Sequence, residues 1–165
     1  MDKPLAGVRV LEIAQFTFVP SAGALLADWG ADVIKVENPV TGDAQRNLFT
    51  AWHSESSEQS SPFRPHVEAP NRGKRSIGLG LTSPLARPIL EALLRRSDVI
   101  LTNHLPVVRS KLRIDVNDVR RINPEAICPR FSKVRSRRHR AGSLWWRRAS
   151  MRPSSTTSSQ VRLMD

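Results

Sequence analysis

The sequence predicts an α/β fold: a partial doubly wound, Rossmann-like parallel sheet with helices, followed by a disordered basic tail. Three observations predict it. Short β-branched and aliphatic runs alternate with amphipathic helical stretches as far as Cys128, which is the pattern of βαβ units. The chain carries 26 Lys and Arg against 15 Asp and Glu, but ten of those cations and only one acid, Asp165, follow Cys128. The net charge of +11 therefore belongs mainly to the tail. The regular spacing also stops at that point, so residues 1–128 read as the ordered part and 129–165 as the tail.

Taken in order, Val8 to Ile13 is β-branched and mostly apolar, as a strand covered on both faces can be; it follows a Pro-Leu-Ala-Gly turn. Ser21 to Trp29 reads as a helix with Ala22, Leu25, Leu26 and Trp29 on one stripe, and Gly30 sits where a helix end calls for positive φ. Asp32 to Glu37 is a second strand, completing a βαβ unit. Residues 38–71, with Gly42, four prolines and a Ser/Glu-rich stretch, read as a long surface loop. Ser76 to Leu81 is a short strand weakened by Gly78 and Gly80. Ser83-Pro84 then reads as N-cap and first helical residue of a helix whose apolar face is Leu85, Ile89, Leu90, Leu93 and Leu94. A strand at Asp98 to Thr102, short helices over Val107–Leu112 and Asp115–Ile122, and one more strand beginning at Glu125 to Cys128 complete the ordered pattern.

Composition narrows the function classes. No run approaches the roughly 18 apolar residues of a membrane-spanning helix, and MDKPLAG has neither a signal core nor a transit pattern. The single cysteine, Cys128, excludes an intrachain disulfide and a multi-cysteine metal site. His53, His66 and His139 lack ligand spacing, and no metal is assigned. The expected location is the cytoplasm.

Several ordered pieces carry a family resemblance: Pro4-Leu-Ala-Gly7, Pro20-Ser-Ala22, Gly30-Ala-Asp-Val-Ile-Lys-Val-Glu37, Gly42-Asp43 with Arg46, Asn71-Arg-Gly-Lys-Arg-Ser-Ile77, and Asp98-Val-Ile-Leu-Thr-Asn103 leading to Pro106, Lys111 and Leu112. Together they resemble the N-terminal part of the class III CoA-transferase family, which includes formyl-CoA and carnitine CoA-transferases and α-methylacyl-CoA racemase. The resemblance implies coenzyme A or acyl-CoA as substrate, a carboxylic acid as the second substrate, and an interlocked homodimer. It implies CoA bound at the carboxyl ends of the strands of a large α/β domain, as in open α/β sheets generally. The family's transferases use an aspartate that attacks the thioester, and the racemases move a proton beside it with a histidine and an aspartate. Both sets lie downstream of the strand near Ala126, so no catalytic residue is assigned here.

The family's CoA contacts, carried over by position, fall on a few residues. Asn103 and His104 at a strand end, with Lys111 after them, resemble the residues that hold the pantetheine and phosphates, which need cations and donors. His104 replaces an aromatic residue and also reads as a packing substitute; Lys111 also reads as a solvated lysine. Gln15, in the loop after the first strand, corresponds to a liner near the thioester or to an ordinary loop residue. Asn38 stands where some transferases carry an arginine. Arg72, Lys74 and Arg75 read as attracting the same phosphates or as a solvated edge, and Leu79 as packing on adenine or as core. For Gly42-Asp43 and Arg46, a turn and an ion pair are expected.

Where the family continues into a Gly-rich strand exit, this chain has Pro129 to Arg140, then Leu144-Trp-Trp-Arg-Arg148 and Ser154 to Ser159. The expectation is a shifted reading frame after about Cys128 and a truncated fragment without activity of its own. The competing reading is a basic module that binds nucleic acid or a partner through Arg135 to Arg140 and Trp145 to Arg148. The same charges would also hold nucleic acid nonspecifically.

Overall fold

The three aliphatic runs become buried parallel strands with apolar cores on both faces of the sheet, and a short, largely exposed strand joins them at one edge. The computed structural model describes residues 3–48 and 64–129. The chain divides into Met1–Ser132 and Lys133–Asp165, and every strand and helix described belongs to the first unit. The expectation for residues 130–165 lies outside the described residues.

Strand β1 (Arg9–Ile13) leads through helix α1 (Phe18–Asp28) to β2 (Asp32–Glu37). Helices α2 (Gln45–Leu48) and α3 (Pro65–Asn71) precede β3 (Arg75–Gly78). Helix α4 (Ala86–Arg96) leads to β4 (Val99–Thr102), and α5 (Pro106–Leu112) and α6 (Val116–Ile122) follow. The sheet order is β3-β2-β1-β4, all parallel, the half-sheet order of a doubly wound fold. The residues expected to begin another strand make one parallel bridge, Val99 to Ile127, outside β4. The peptide of Ile127 is held on both sides: its N–H donates to Asp98 O and its carbonyl accepts from Ile100 N, each at 2.9 Å.

Alternation along β1 separates two cores. Leu11 and Ile13 pack with Leu90, Leu94, Ile100, Ile114 and Val119 on the α4/α6 side. Val10 and Ala14 pack with Val19, Ala27, Val33 and Leu101 on the α1 side. Each fully buried aliphatic side chain contributes about 1.5–3 kcal/mol, so these two layers carry most of the fold's stability. Asn123 braces α4 from the end of α6, donating from its amide to Leu94 O and Ser97 O.

Three expectations are corrected. Helix α1 begins at Phe18 and buries Val19, Pro20, Gly23, Ala24 and Ala27, whereas Leu25 and Trp29 of the expected stripe are about half exposed. The sheet-facing side must be small because buried charges lie beneath it, so size outranks hydropathy. Helix α4 begins at Ala86 without a side-chain cap; Ser83 and Pro84 form a turn that leads into it, with Ala86 N and Arg87 N bonded back to them. Its buried residues are Ala86, Leu90 and Leu94, and Leu85 and Ile89 face outward. The expected loop over 38–71 contains α2 and α3. Gly30 does close α1 with φ +103, and a Cβ there would fall 2.5 Å from Lys3 Cβ.

The charges beneath α1 make Gly23 a sensitive position. A Cβ on Gly23 would collide with Glu12 Oε2 and lie 3.0 Å from Lys74 Nζ. Alanine gains up to about 1 kcal/mol in helix propensity, whereas disrupting a buried ion pair costs roughly 3–5 kcal/mol. Gly23→Ala is therefore expected to destabilise the fold by about 2 kcal/mol or more by the same bookkeeping, read as a lower urea midpoint.

Candidate functional site

At the carboxyl ends of the strands the chain opens a cavity of about 300 Å³, at the lower end for ligand clefts. Its apolar wall includes Ile13, Val36, Leu79, Leu81, Val108 and Leu112. Gln15, Glu37, Asn38, Asp43, His104 and Lys111 add polar groups. The cavity lies where β1 sends one connection to β2 and receives β4 on its other side, the switch point at which open α/β sheets bind ligands.

Under one flank lies a layer of buried charge. Glu12 and Lys35, register partners at the middle of β1 and β2, are 0% and 2% exposed. Lys35 Nζ donates to Asp43 Oδ2 at 2.6 Å and to Asn71 Oδ1 at 2.9 Å. Lys74 Nζ donates to Glu12 Oε2 at 2.6 Å and to Pro20 O at 2.7 Å. Glu12 Oε1 is buried without a hydrogen-bond partner among the described residues. Burial accordingly raises the Glu12 carboxyl above its ordinary value against the pull of Lys74, and burial lowers the Lys74 ammonium against the pull of Glu12.

Burial also pushes the Asp43 carboxyl up, but its bonds from Lys35 and from the Phe16 and Gln45 amides outweigh that and leave it below its ordinary value. Burial acts on Glu37 in the same direction and is likewise outweighed, with Arg46 as its main partner. Arg46 grips both Glu37 oxygens at 3.0 Å. The expected turn and ion pair around Gly42-Asp43 and Arg46 are thus present, with Asp43 paired to Lys35 and Arg46 paired to Glu37. Gly42 takes φ +67 in the turn.

The loop after β1 is pinned at three places. Asn103 grips the Gln15 peptide: Gln15 N donates to its Oδ1 at 3.1 Å, and its Nδ2 donates to Gln15 O at 2.7 Å. Phe16 N donates to Asp43 Oδ1 at 3.0 Å, and Gln45 Nε2 donates to Thr17 Oγ1 at 2.7 Å. The side chain of Asn103 is thereby engaged in holding the loop, and Asn103 is absent from the cavity lining.

Of the residues singled out in the sequence, Gln15, Leu79, His104 and Lys111 meet in the cavity. Lys111 is exposed and has no carboxylate partner among the described residues. Leu79 belongs to the core as well as to the cavity wall. Burial, and secondarily Arg109, lowers the His104 imidazole below its ordinary value, which favours the neutral ring. Arg109 is itself buried, donating to His104 O at 3.0 Å and pairing with Asp115 at 3.2 Å.

The cluster of Arg72, Lys74 and Arg75 is not brought to the cavity. Each has its own acid: Asp28 for Arg72, Glu12 for Lys74 and Asp32 for Arg75. The Lys74 side chain is buried against Glu12, whereas Arg72 and Arg75 are exposed near the amino ends of the strands. Sequence reasoning missed Glu12, Lys35 and the part played by Asp43. The signal was one acid and one base interrupting otherwise apolar strands at positions that come to lie side by side. No group of three metal-ligating side chains occurs among the described residues. His53, His139 and the Arg/Trp segment lie outside them.

A sequence model of CoA-transferase family III matches residues 5–133. The chain belongs to CoA-transferase family III. It is 40% identical over 127 residues to a succinate–glutarate CoA-transferase of Agrobacterium fabrum, covering 75% of this chain and 31% of that protein. It is 35% identical over 127 residues to a formyl-CoA:oxalate CoA-transferase of Afipia carboxidovorans, covering 77% and 28%. The crystal structure of Rv3272 from M. tuberculosis superimposes with a TM-score of 0.65 at 36% identity, covering 76% and 32%. A CAIB/BAIF family protein from Brucella suis gives the same score at 32% identity, covering 78% and 33%. This family III chain thus spans about a third of the length of the relatives it matches.

The His104 environment has a pH consequence. Its folded value lies below its ordinary value of 6.5, so the unfolded chain binds more protons in that window and stability rises with pH. The contribution is complete above pH 6.5 and is lost as pH falls through the folded value. Urea midpoints measured across that range are expected to show this slope, and His104→Phe is expected to flatten it.

Proposed function

We propose that this chain is the CoA-binding, N-terminal portion of the large domain of a family III CoA-transferase, located in the cytoplasm. The observation that carries the reading is the cavity at the switch point, where Gln15, Leu79, His104 and Lys111 meet. In this reading Lys111 supplies a cation to the CoA phosphates, which a mobile ammonium at a cavity mouth does well. Leu79 packs on the adenine, His104 stands beside the pantetheine as a neutral ring, and Gln15 lines the thioester end. Asn103 contributes by holding Gln15.

The parent activity is transfer of CoA between an acyl-CoA and a carboxylic acid, or racemisation of a 2-methylacyl-CoA, by an interlocked homodimer. The names of the relatives, which pair CoA with succinate, glutarate, formate and oxalate, support the transferase branch. The group that would attack the thioester belongs to the family's downstream region. We propose that the reading frame shifts after about Cys128 and that the chain alone does not turn over. The family match ending at residue 133 and the Arg- and Ser-rich composition beyond it support this.

Calorimetric titration of the full chain with CoA is expected to show binding that weakens with salt. Lys111→Ala is expected to reduce the affinity about tenfold, the scale of one charge-assisted contact to phosphate. Absence of CoA binding, or exchange of labelled CoA between succinate and glutarate by the purified chain, would overturn the reading.

The frame has its own test. Resequencing the gene through codon 128 and translating all frames beyond it is expected to recover the family's Gly-rich strand exit and a downstream aspartate in another frame. An uninterrupted frame with nothing familiar in the alternatives would favour the tail as a nucleic-acid or partner-binding extension.

A further inference from the structure

Phe16 occupies the left-handed region, at φ +64, where a bulky side chain without a glycine's freedom is strained. Such a conformation persists only where its surroundings over-determine it. The surroundings here are two. Asn103 holds the backbone N–H and carbonyl of Gln15, accepting from the one and donating to the other, and Asp43 Oδ1 accepts the N–H of Phe16 itself at 3.0 Å. Asp43 is able to do this because its other oxygen is held by buried Lys35 at 2.6 Å and the Gln45 amide fixes its orientation at 2.9 Å. Its side chain is 1% exposed, so water does not compete for the Phe16 amide.

The consequence falls on Gln15. With its backbone gripped by Asn103 and the next residue turned left-handed, Gln15 contributes to the cavity lining together with Asp43, while Phe16 is absent from that lining and about half exposed. We propose that Asp43 is a positioning residue: it holds the strained Phe16 turn and so presents Gln15 to the cavity. The effect on ligand rests on the CoA reading above; the lock itself does not.

Two kinds of measurement separate these. Amide hydrogen exchange of the full chain reads the lock without ligand: the Phe16 amide is expected to be protected in the wild type and to exchange faster in Asp43→Ala. Equal exchange in the two overturns the proposal whether or not CoA binds.

Titration with CoA then reads the consequence. Asp43→Ala is expected to bind CoA about tenfold more weakly, and Asp43→Ala/Phe16→Gly to recover most of that loss, because glycine takes positive φ without the lock. A role confined to pairing Lys35 would give no such rescue. Should loss of the Lys35 partner prevent folding, the exposed position decides alone. Phe16→Val, whose β-branch raises the cost of the left-handed turn, is expected to bind CoA about fivefold more weakly than Phe16→Gly. Equal binding by these two variants overturns the proposal. If the wild type binds no CoA, the CoA reading fails and the exchange measurement judges the lock.

Discussion

A carboxylate and an ammonium in register at the centre of two adjacent strands set the terms for much of this fold. Glu12 on β1 and Lys35 on β2 face the same side of the sheet, and neither is exposed. Removing two charges from water costs several kcal/mol per ion, and their attraction repays this only where further partners complete the shell. The chain supplies those partners from elsewhere: Lys74 and the Pro20 carbonyl around Glu12, and Asp43 and Asn71 around Lys35. Such a layer contributes little net stability compared with an apolar one. Its effect is on alternatives, because a one-residue slip of either strand would turn a charge into the α4 core.

The same layer dictates what stands above it. Helix α1 presents glycine and alanine to the sheet because a side chain at position 23 would occupy the space of the Glu12–Lys74 pair, and its larger apolar side chains are displaced to the flank. Asn71, at the end of α3, donates to Val67 O and accepts from Lys35, so the layer also anchors that helix. At its outer end the layer reaches the cavity through Asp43. Core and site thus share charged groups: Asp43 accepts from Lys35 through one oxygen and from the Phe16 amide through the other, and Glu37, also beside Lys35, accepts from the Asp43 amide.

This coupling explains which parts were legible in the sequence. The β1-α1-β2 unit, the strand at 98–102 and the closing role of Gly30 were readable because they depend on local pattern, on apolar runs, periodicity and one conformational need. The buried face of α1 was not, since hydropathy favours Leu25 and Trp29 while the geometry demands small residues over buried ions. Ser83-Pro84 carries a good helix-start signal, yet Ala86 begins the helix because Ser83 and Pro84 are taken into a turn. Arg72, Lys74 and Arg75 read as one cluster of cations; the fold sends the middle one inward to Glu12 and leaves the outer two to surface acids. Asn103 was marked by position as a ligand contact, and only the fold reveals that its amide is engaged with Gln15. The pairings of Asn103 and of the three cations each turn on a partner more than 40 residues away, which no local window contains.

The residues that line the cavity end at Leu112; Asp115 orients Arg109 behind His104, and Ile13 and Leu79 of the wall share a core with Val119 and Ala126. This cavity and its supports thus lie within the part of the chain that the family model matches. Past α6 the sheet gains, among the described residues, the Ile127 peptide against β4. The switch point between β1 and β4 needs only the first half of a doubly wound sheet to exist.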